Sequence, residues 1–269
     1  MVTLPKLTDS RLTLDGRVAL MTLDRDDLRN ALTGTDLIAD LLAVARWLNE
    51  EPAVSVLVLT GAGRAFSSGG NVKEMQERRG MFGGDAAQVA RNYQDQIQRV
   101  PLALEEVEVP IIAAVNGPAI GAGCDLTCMC DLRLASESAL FGETFVNLGI
   151  IPGDGGAWLL QRLIGYGHAA SMALTGRLVA AQEALTIGLV QEVLPPARLL
   201  PRSLELAHLM AAKPPQALRQ AKQLLKMAQR TELRDFLKHC SMVQGISHNS
   251  EEHHEAVAAF LEKRPAKFD

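Results

Sequence analysis

The chain has 269 residues, 48% of them hydrophobic and 22% charged, with a formal net charge of −4. That composition supports a sizeable core and excludes a wholly disordered chain. The acidic balance makes no electrostatic case for nucleic acid, and no apolar run reaches membrane-spanning length.

In chain order, residues 10–24 ("SRLTLDGRVALMTLD") nearly alternate apolar and polar around Asp15-Gly16, which predicts a β-hairpin. Leu37, Leu41, Val44 and Leu48 recur three or four apart and predict an amphipathic helix over 32–49. "VSVLVLTGAG" is a short apolar run ending in a glycine loop, the pattern of a buried strand. The more polar stretch 72–107, interrupted by "GMFGGD", reads as a mobile loop leading into a helix. "VPIIAAVNGPAIGAG" repeats the strand-then-glycine-loop design; "CDLTCMCD" continues it as a helix, and "LRLASESALFG" supplies more strand. From about 157 to 229 the periodicity is helical, with breaks at Gly165–Gly167 and Pro195-Pro196, and 231–261 is a charged helical tail. Strand–helix units followed by helices predict an α/β core over residues 1–200 and a helical region over 201–269.

The four cysteines are Cys124, Cys128, Cys130 and Cys240. Three of them in the spacing C-x3-C-x-C, with no histidine nearby, do not make a zinc site and read as small core residues. They suit a reducing cytoplasm, and the first twenty residues lack the pattern of a signal peptide. His248, His253 and His254 crowd the tail without metal-ligand spacing, and Ser67-Ser68 lack a nucleophile elbow. No metal site is expected.

"GAGRAFSSGGN" (61–71) and "NGPAIGAGCD" (116–125) each follow an apolar strand and precede a predicted helix. Glycine at such turns lets backbone approach a ligand and leaves amide N–H groups free. Two amides aimed at one carbonyl oxygen form an oxyanion hole, which can stabilise a developing enolate by several kcal/mol. Taken singly, either loop can equally be a turn and nothing more. Neither is a phosphate-binding P-loop, because G-x4-G-K-[ST] is absent.

Six stretches in order carry a family resemblance: "LDRDDLRNAL", "LTGAGRAFSSGGNVKEM", "VPIIAAVNGPAIGAGCDLTCMCDLRLAS", "FGETFVNLGIIPGDGG", "LTGRLVAAQEALTIGLVQEVLP" and "FLEKRPAKF". From about residue 10 to residue 268 the chain resembles the enoyl-CoA hydratase/isomerase (crotonase) superfamily. The resemblance implies a spiral of ββα turns, acyl-CoA thioester substrates, no cofactor beyond the substrate's coenzyme A, and trimers often paired into hexamers. It makes the helical region 201–269 a trimerisation region. By position, the oxyanion amides are those of Gly70 and Ala122. Coenzyme A would run along Leu28 and Arg29, with its adenine near Ser67 and Ser68. Lys263 matches a lysine that reaches coenzyme A, often across a subunit contact; as a residue in a charged tail it also reads as a solvated helix charge.

Adding water to an enoyl thioester takes a base for the water and an acid for the α-carbon, work that two carboxylates can share. Hydratases of the family carry one glutamate after the second glycine loop and another four residues past the phenylalanine of the FG dipeptide. Here these positions hold Asp125, one methylene shorter, and Phe145. Asp125 is either a proton handler or a helix-start residue accepting backbone N–H bonds. Glu143 lies two residues before Phe145, either facing the vacated place or making a surface or subunit-contact salt bridge. Asp154 is either the N-cap of the following helix or a working acid, as in family members that carry one a position earlier. Three functions follow from the resemblance and these residues. The leading one is hydration or dehydration of a 2-enoyl-CoA. The alternatives are an isomerase, decarboxylase or thioester hydrolase using a single carboxylate, or an acyl-CoA-binding protein without turnover.

Overall fold

The computed structural model describes residues 2–268. Nine strands and eleven helices alternate through them. The strands are β1 (Ser10–Asp15), β2 (Val18–Leu23), β3 (Val56–Gly61), β4 (Ile111–Val115), β5 (Ala119–Ile120), β6 (Leu132–Ser136), β7 (Leu140–Gly142), β8 (Leu178–Ala180) and β9 (Glu192–Leu194). The helices begin with α1 (Leu37–Glu50), α2 (Val72–Glu77), α3 (Ala86–Asp95), α4 (Arg99–Glu106), α5 (Ala122–Cys128) and α6 (Gly156–Thr175). They end with α7 (Ala181–Thr186), α8 (Pro196–Ala211), α9 (Pro215–Ala228), α10 (Leu233–His248) and α11 (Glu251–Glu262).

Six strands form one sheet in the order β1-β2-β3-β4-β6-β9, antiparallel only between β1 and β2. Strands β5, β7 and β8 form a second, smaller sheet. The continuous apolar runs of β3 and β4 follow from burial of the large sheet on both faces. Leu57, Leu59, Ile111 and Ala113 face the larger core beside α1, while Val56, Val58, Ile112 and Ala114 face a second core closed by Leu199 and Ala207 of α8. The boundary expected at residue 200 therefore falls inside a helix that completes this core.

The expected hairpin forms with Asp15 paired to Val18. Helix α1 buries the predicted stripe Leu37, Leu41, Val44 and Leu48 but starts at Leu37, five residues later than expected, because 32–36 form a turn. The stretch 72–107, expected as a loop leading into a helix, is helical in pieces from its start. Asn71 and Asp85 cap α2 and α3 by accepting bonds from backbone N–H groups. Within 157–229 two short strands, β8 and β9, interrupt the helices. Cys124, Cys128 and Cys130 are buried free thiols in the core around α5, as the sequence suggested. Among the described residues no helix is long and apolar enough to cross a membrane.

Candidate active site

Both glycine loops leave the C-terminal ends of parallel strands, where ligands gather in such sheets. They lock onto each other. Ser67 N accepts no ligand role here: it donates to Pro118 O at 3.2 Å, while Ile120 N donates to Ser67 O at 3.0 Å. A Cβ placed on Gly69 would sit 2.4 Å from Ile120 O and 2.9 Å from Ala122 N, so only glycine allows this approach. Gly70 follows directly, and Ala122 opens α5. Neither the Gly70 nor the Ala122 amide has an acceptor among the described residues. An N–H at the first turn of a helix has no intrahelical partner, so Ala122 N is free by construction.

Asn30, which sequence reasoning passed over, ties this assembly to the loop before it. Its amide donates to Ala62 O at 3.0 Å and Ala65 O at 2.8 Å, and its oxygen accepts from Arg25 N at 2.8 Å. A polar residue buried between two loops at a left-handed backbone position is the signal that marks it. Next to it, Leu28 O accepts from the Ser68 hydroxyl at 3.3 Å, and Arg29 O accepts from Ser68 N at 2.9 Å. Leu28, Arg29 and Ser68 thus share one edge, with Arg29 exposed. Ser67 does not join them. It is fully buried, and its hydroxyl donates to Asn30 O at 2.7 Å and accepts from Gly69 N at 3.1 Å. Lys263, exposed, ends α11 in a left-handed conformation. The segment after it runs to the far end of the sheet, where Phe268 O accepts from Arg17 beside the start of β2.

The three candidate acids converge. Asp125, Glu143 and Asp154 are 0%, 1% and 3% exposed. Among the described residues no oxygen of Asp125 or Glu143 has a hydrogen-bond partner, so Asp125 does not cap its helix and Glu143 makes no salt bridge there. Asp154 makes no cap bond either; Gly155 occupies the N-cap of α6. Gly156, the first residue of α6, is the platform for Asp125: a Cβ there would fall 2.0 Å from Asp125 Oδ1. Phe145, buried, lays its ring 3.6 Å from where a Gly121 Cβ would be and so lines the wall behind the second loop. Tyr93 and Phe82, an edge-to-face pair with centroids 6.3 Å apart, come from the stretch expected to be loop. The Tyr93 ring lies against Gly153, next to Asp154.

Crowding three acids into a dry site governs their protonation. Burial first, then the neighbouring Glu143, pushes Asp125 well above the usual carboxylate range. Burial also raises Glu143, against the lowering effect of the neighbouring Asp125 and Cys124 side chains. Burial thus favours the protonated form at both positions. Asp154 is pushed up to about 7, by burial and then by Glu143.

A sequence profile of the enoyl-CoA hydratase/isomerase family matches residues 13–269. The chain belongs to this family. It is 37% identical over 255 residues to 2,3-dehydroadipyl-CoA hydratase of Escherichia coli, covering 94% of this chain and 95% of that one. It is 35% identical over 251 residues to the short-chain-enoyl-CoA hydratase of Clostridium acetobutylicum, covering 93% of each. Among solved structures, enoyl-CoA hydratase from Bacillus anthracis superposes with a TM-score of 0.89 at 34% identity, over 97% of this chain and 99% of that one. The crotonase-like fold expected from the sequence is the fold observed. Within this family fold, the acid cluster of the present chain predicts its own pH signature.

Asp154 binds its proton more tightly folded than unfolded, since its value rises from 3.8 to about 7. The stabilisation is complete below about pH 4 and is lost as pH rises through about 7, at most about 4 kcal/mol for three units. Asp154→Asn should therefore raise the melting temperature relative to wild type at about pH 8 and much less at about pH 5. An equal shift at both pH values would mean that Asp154 ionises freely in the folded chain.

Proposed function

We propose that the chain is a lyase that adds water to a 2-enoyl-CoA, or removes it in reverse, through an enolate held by the Gly70 and Ala122 amides. The observation that carries this reading is the pairing of two acceptor-free amides with two buried carboxyls, Asp125 and Glu143, whose oxygens have no partner among the described residues. Ionised Glu143 takes a proton from water as its oxygen bonds to the β-carbon, and protonated Asp125 delivers one to the α-carbon. One water is consumed and the pair's proton count is restored after the proton moves between the two carboxyls. Glu143 thereby supplies the second acid that Phe145 does not. Asp154, beside Tyr93, sets the field on this pair through its own charge.

A panel of thioesters tests the reaction class. Crotonyl-CoA hydration should be the fastest reaction, ahead of 3-enoyl isomerisation, decarboxylation of a malonyl-type thioester and hydrolysis of a saturated one. A faster rate for any of these would replace the reading with a single-carboxylate chemistry, and saturable binding without turnover would leave a binding protein.

Coenzyme A would lie along Leu28, Arg29 and Ser68. Because the tail after Lys263 is tied to the opposite end of its own sheet, Lys263 would serve the site of a neighbouring copy. Helix α10 buries none of its residues, and Leu233, Leu237, Ile246 and Phe260 of α10 and α11 are more than half exposed, an apolar surface that suits a trimer or hexamer. Sedimentation should show that assembly, and Lys263→Ala should weaken acetyl-CoA binding in a salt-dependent way. A monodisperse monomer at micromolar concentration would refute both. Buried free thiols suit a reducing compartment such as the cytoplasm.

A further inference from the structure

Helix α6 is broken at Gly165, whose φ of 76° and ψ of 158° are not helical. The break leaves a cavity of about 180 Å³ between the two halves. Leu160 and Gln161 line it from the first half, and Ala169, Ala170 and Ala173 from the second, at helical spacing. The gap exists because the second half presents methyl groups where larger side chains would close it. Its outer rim carries Tyr166 and Leu174, both about three-quarters exposed at 75% and 74%. Its inner end is formed by Glu143 and Gly156, both buried, and Gly156 is the residue on which Asp125 rests.

We propose that this cavity is a rear entrance through which water reaches and leaves Glu143 while an acyl-CoA thioester fills the front of the site. The inference rests on the hydratase reading. Glu143 is 1% exposed and both of its oxygens lack a partner among the described residues, so the group at the inner end wants water rather than an acyl chain. The volume accommodates a file of about six waters at roughly 30 Å³ each. In the hydration direction, one water supplies its oxygen to the β-carbon and its two protons to the new hydroxyl and, by way of the acid pair, to the α-carbon; dehydration returns the same water. A front-only site would trap that water until the enoyl-CoA dissociates. A rear entrance lets it exchange with solvent first.

The experiment incubates the enzyme with 3-hydroxybutyryl-CoA in oxygen-18-labelled water containing free deuterated crotonyl-CoA. Two rates are read by mass spectrometry: oxygen-18 entering the hydroxyl, and deuterated acyl chains entering the hydroxyacyl pool. Wild type should incorporate oxygen-18 several-fold faster than it exchanges acyl chains. Ala173→Leu, which fills the cavity, should bring the ratio to unity, and Ala173→Ser, which keeps it open, should not. A wild-type ratio of unity with normal turnover would overturn the rear entrance, and this reading does not depend on the variants folding. A rise in KM confined to longer acyl chains in Ala173→Leu, with the ratio unchanged, would assign the cavity to the acyl tail and overturn it too. No turnover of either substrate would instead sink the hydratase reading itself.

Discussion

Asp125→Asn should lower crotonyl-CoA hydration by on the order of 10²-fold or more, with little loss of acetyl-CoA binding. The amide keeps the shape of the side chain against Gly156 but can neither give up nor regain a proton. Glu143→Gln should cost a similar factor, because Glu143 is as buried as Asp125 and is the proposed base of the same step. Two groups that pass one proton act as a unit, so the double variant should be only slightly worse than either single one. Multiplicative losses would mean that the two carboxyls act in separate steps. An inert Asp125→Asn would remove it from the chemistry and favour reactions driven by the oxyanion amides with Glu143 or Asp154 alone.

The strand-and-loop half of this site was legible in the sequence for a physical reason. A parallel strand buried on both faces must be apolar throughout, and the backbone contact after it must be glycine, so "VLVLTG" and "PAIGAG" announce themselves. Helix α1 was legible through its stripe, but not its start, since Leu32 is as buried as the stripe while lying in a turn. In the stretch 72–107 the helix at the end was legible and the two before it were not, because α2 and α3 are short and bury no residue; their ends are fixed by the capping of Asn71 and Asp85, which a search for apolar periodicity ignores. The orientation of Glu143 was not legible at all. Glu143 sits between the end of β7 and a 3-10 turn over Thr144–Leu148, outside any strand, so its direction depends on how β7 hands the chain on. Ser67 is the converse case, a polar residue whose hydroxyl bonds within the loop assembly itself.

Phe145→Glu should not improve the enzyme, although it restores the second glutamate of the family's hydratases. The site already holds three buried acids, and a fourth would add repulsion where desolvation is already costly. The substitution also removes a buried ring that packs behind Gly121, a loss of about 3 kcal/mol or more by comparison with large-to-small changes in cores. Crotonyl-CoA hydration should therefore fall, and the urea midpoint should drop further for Phe145→Glu than for Phe145→Gln, which has the same shape without the charge. The decisive variant combines Phe145→Glu with Glu143→Gln, so that the acid count stays at three and the second acid moves to its familiar place. If Glu143 does the work of that missing glutamate, the double variant should regain about tenfold or more of the activity lost in Glu143→Gln. A Phe145→Glu single variant faster than wild type would show instead that the vacant position limits the reaction and that Glu143 had never filled it.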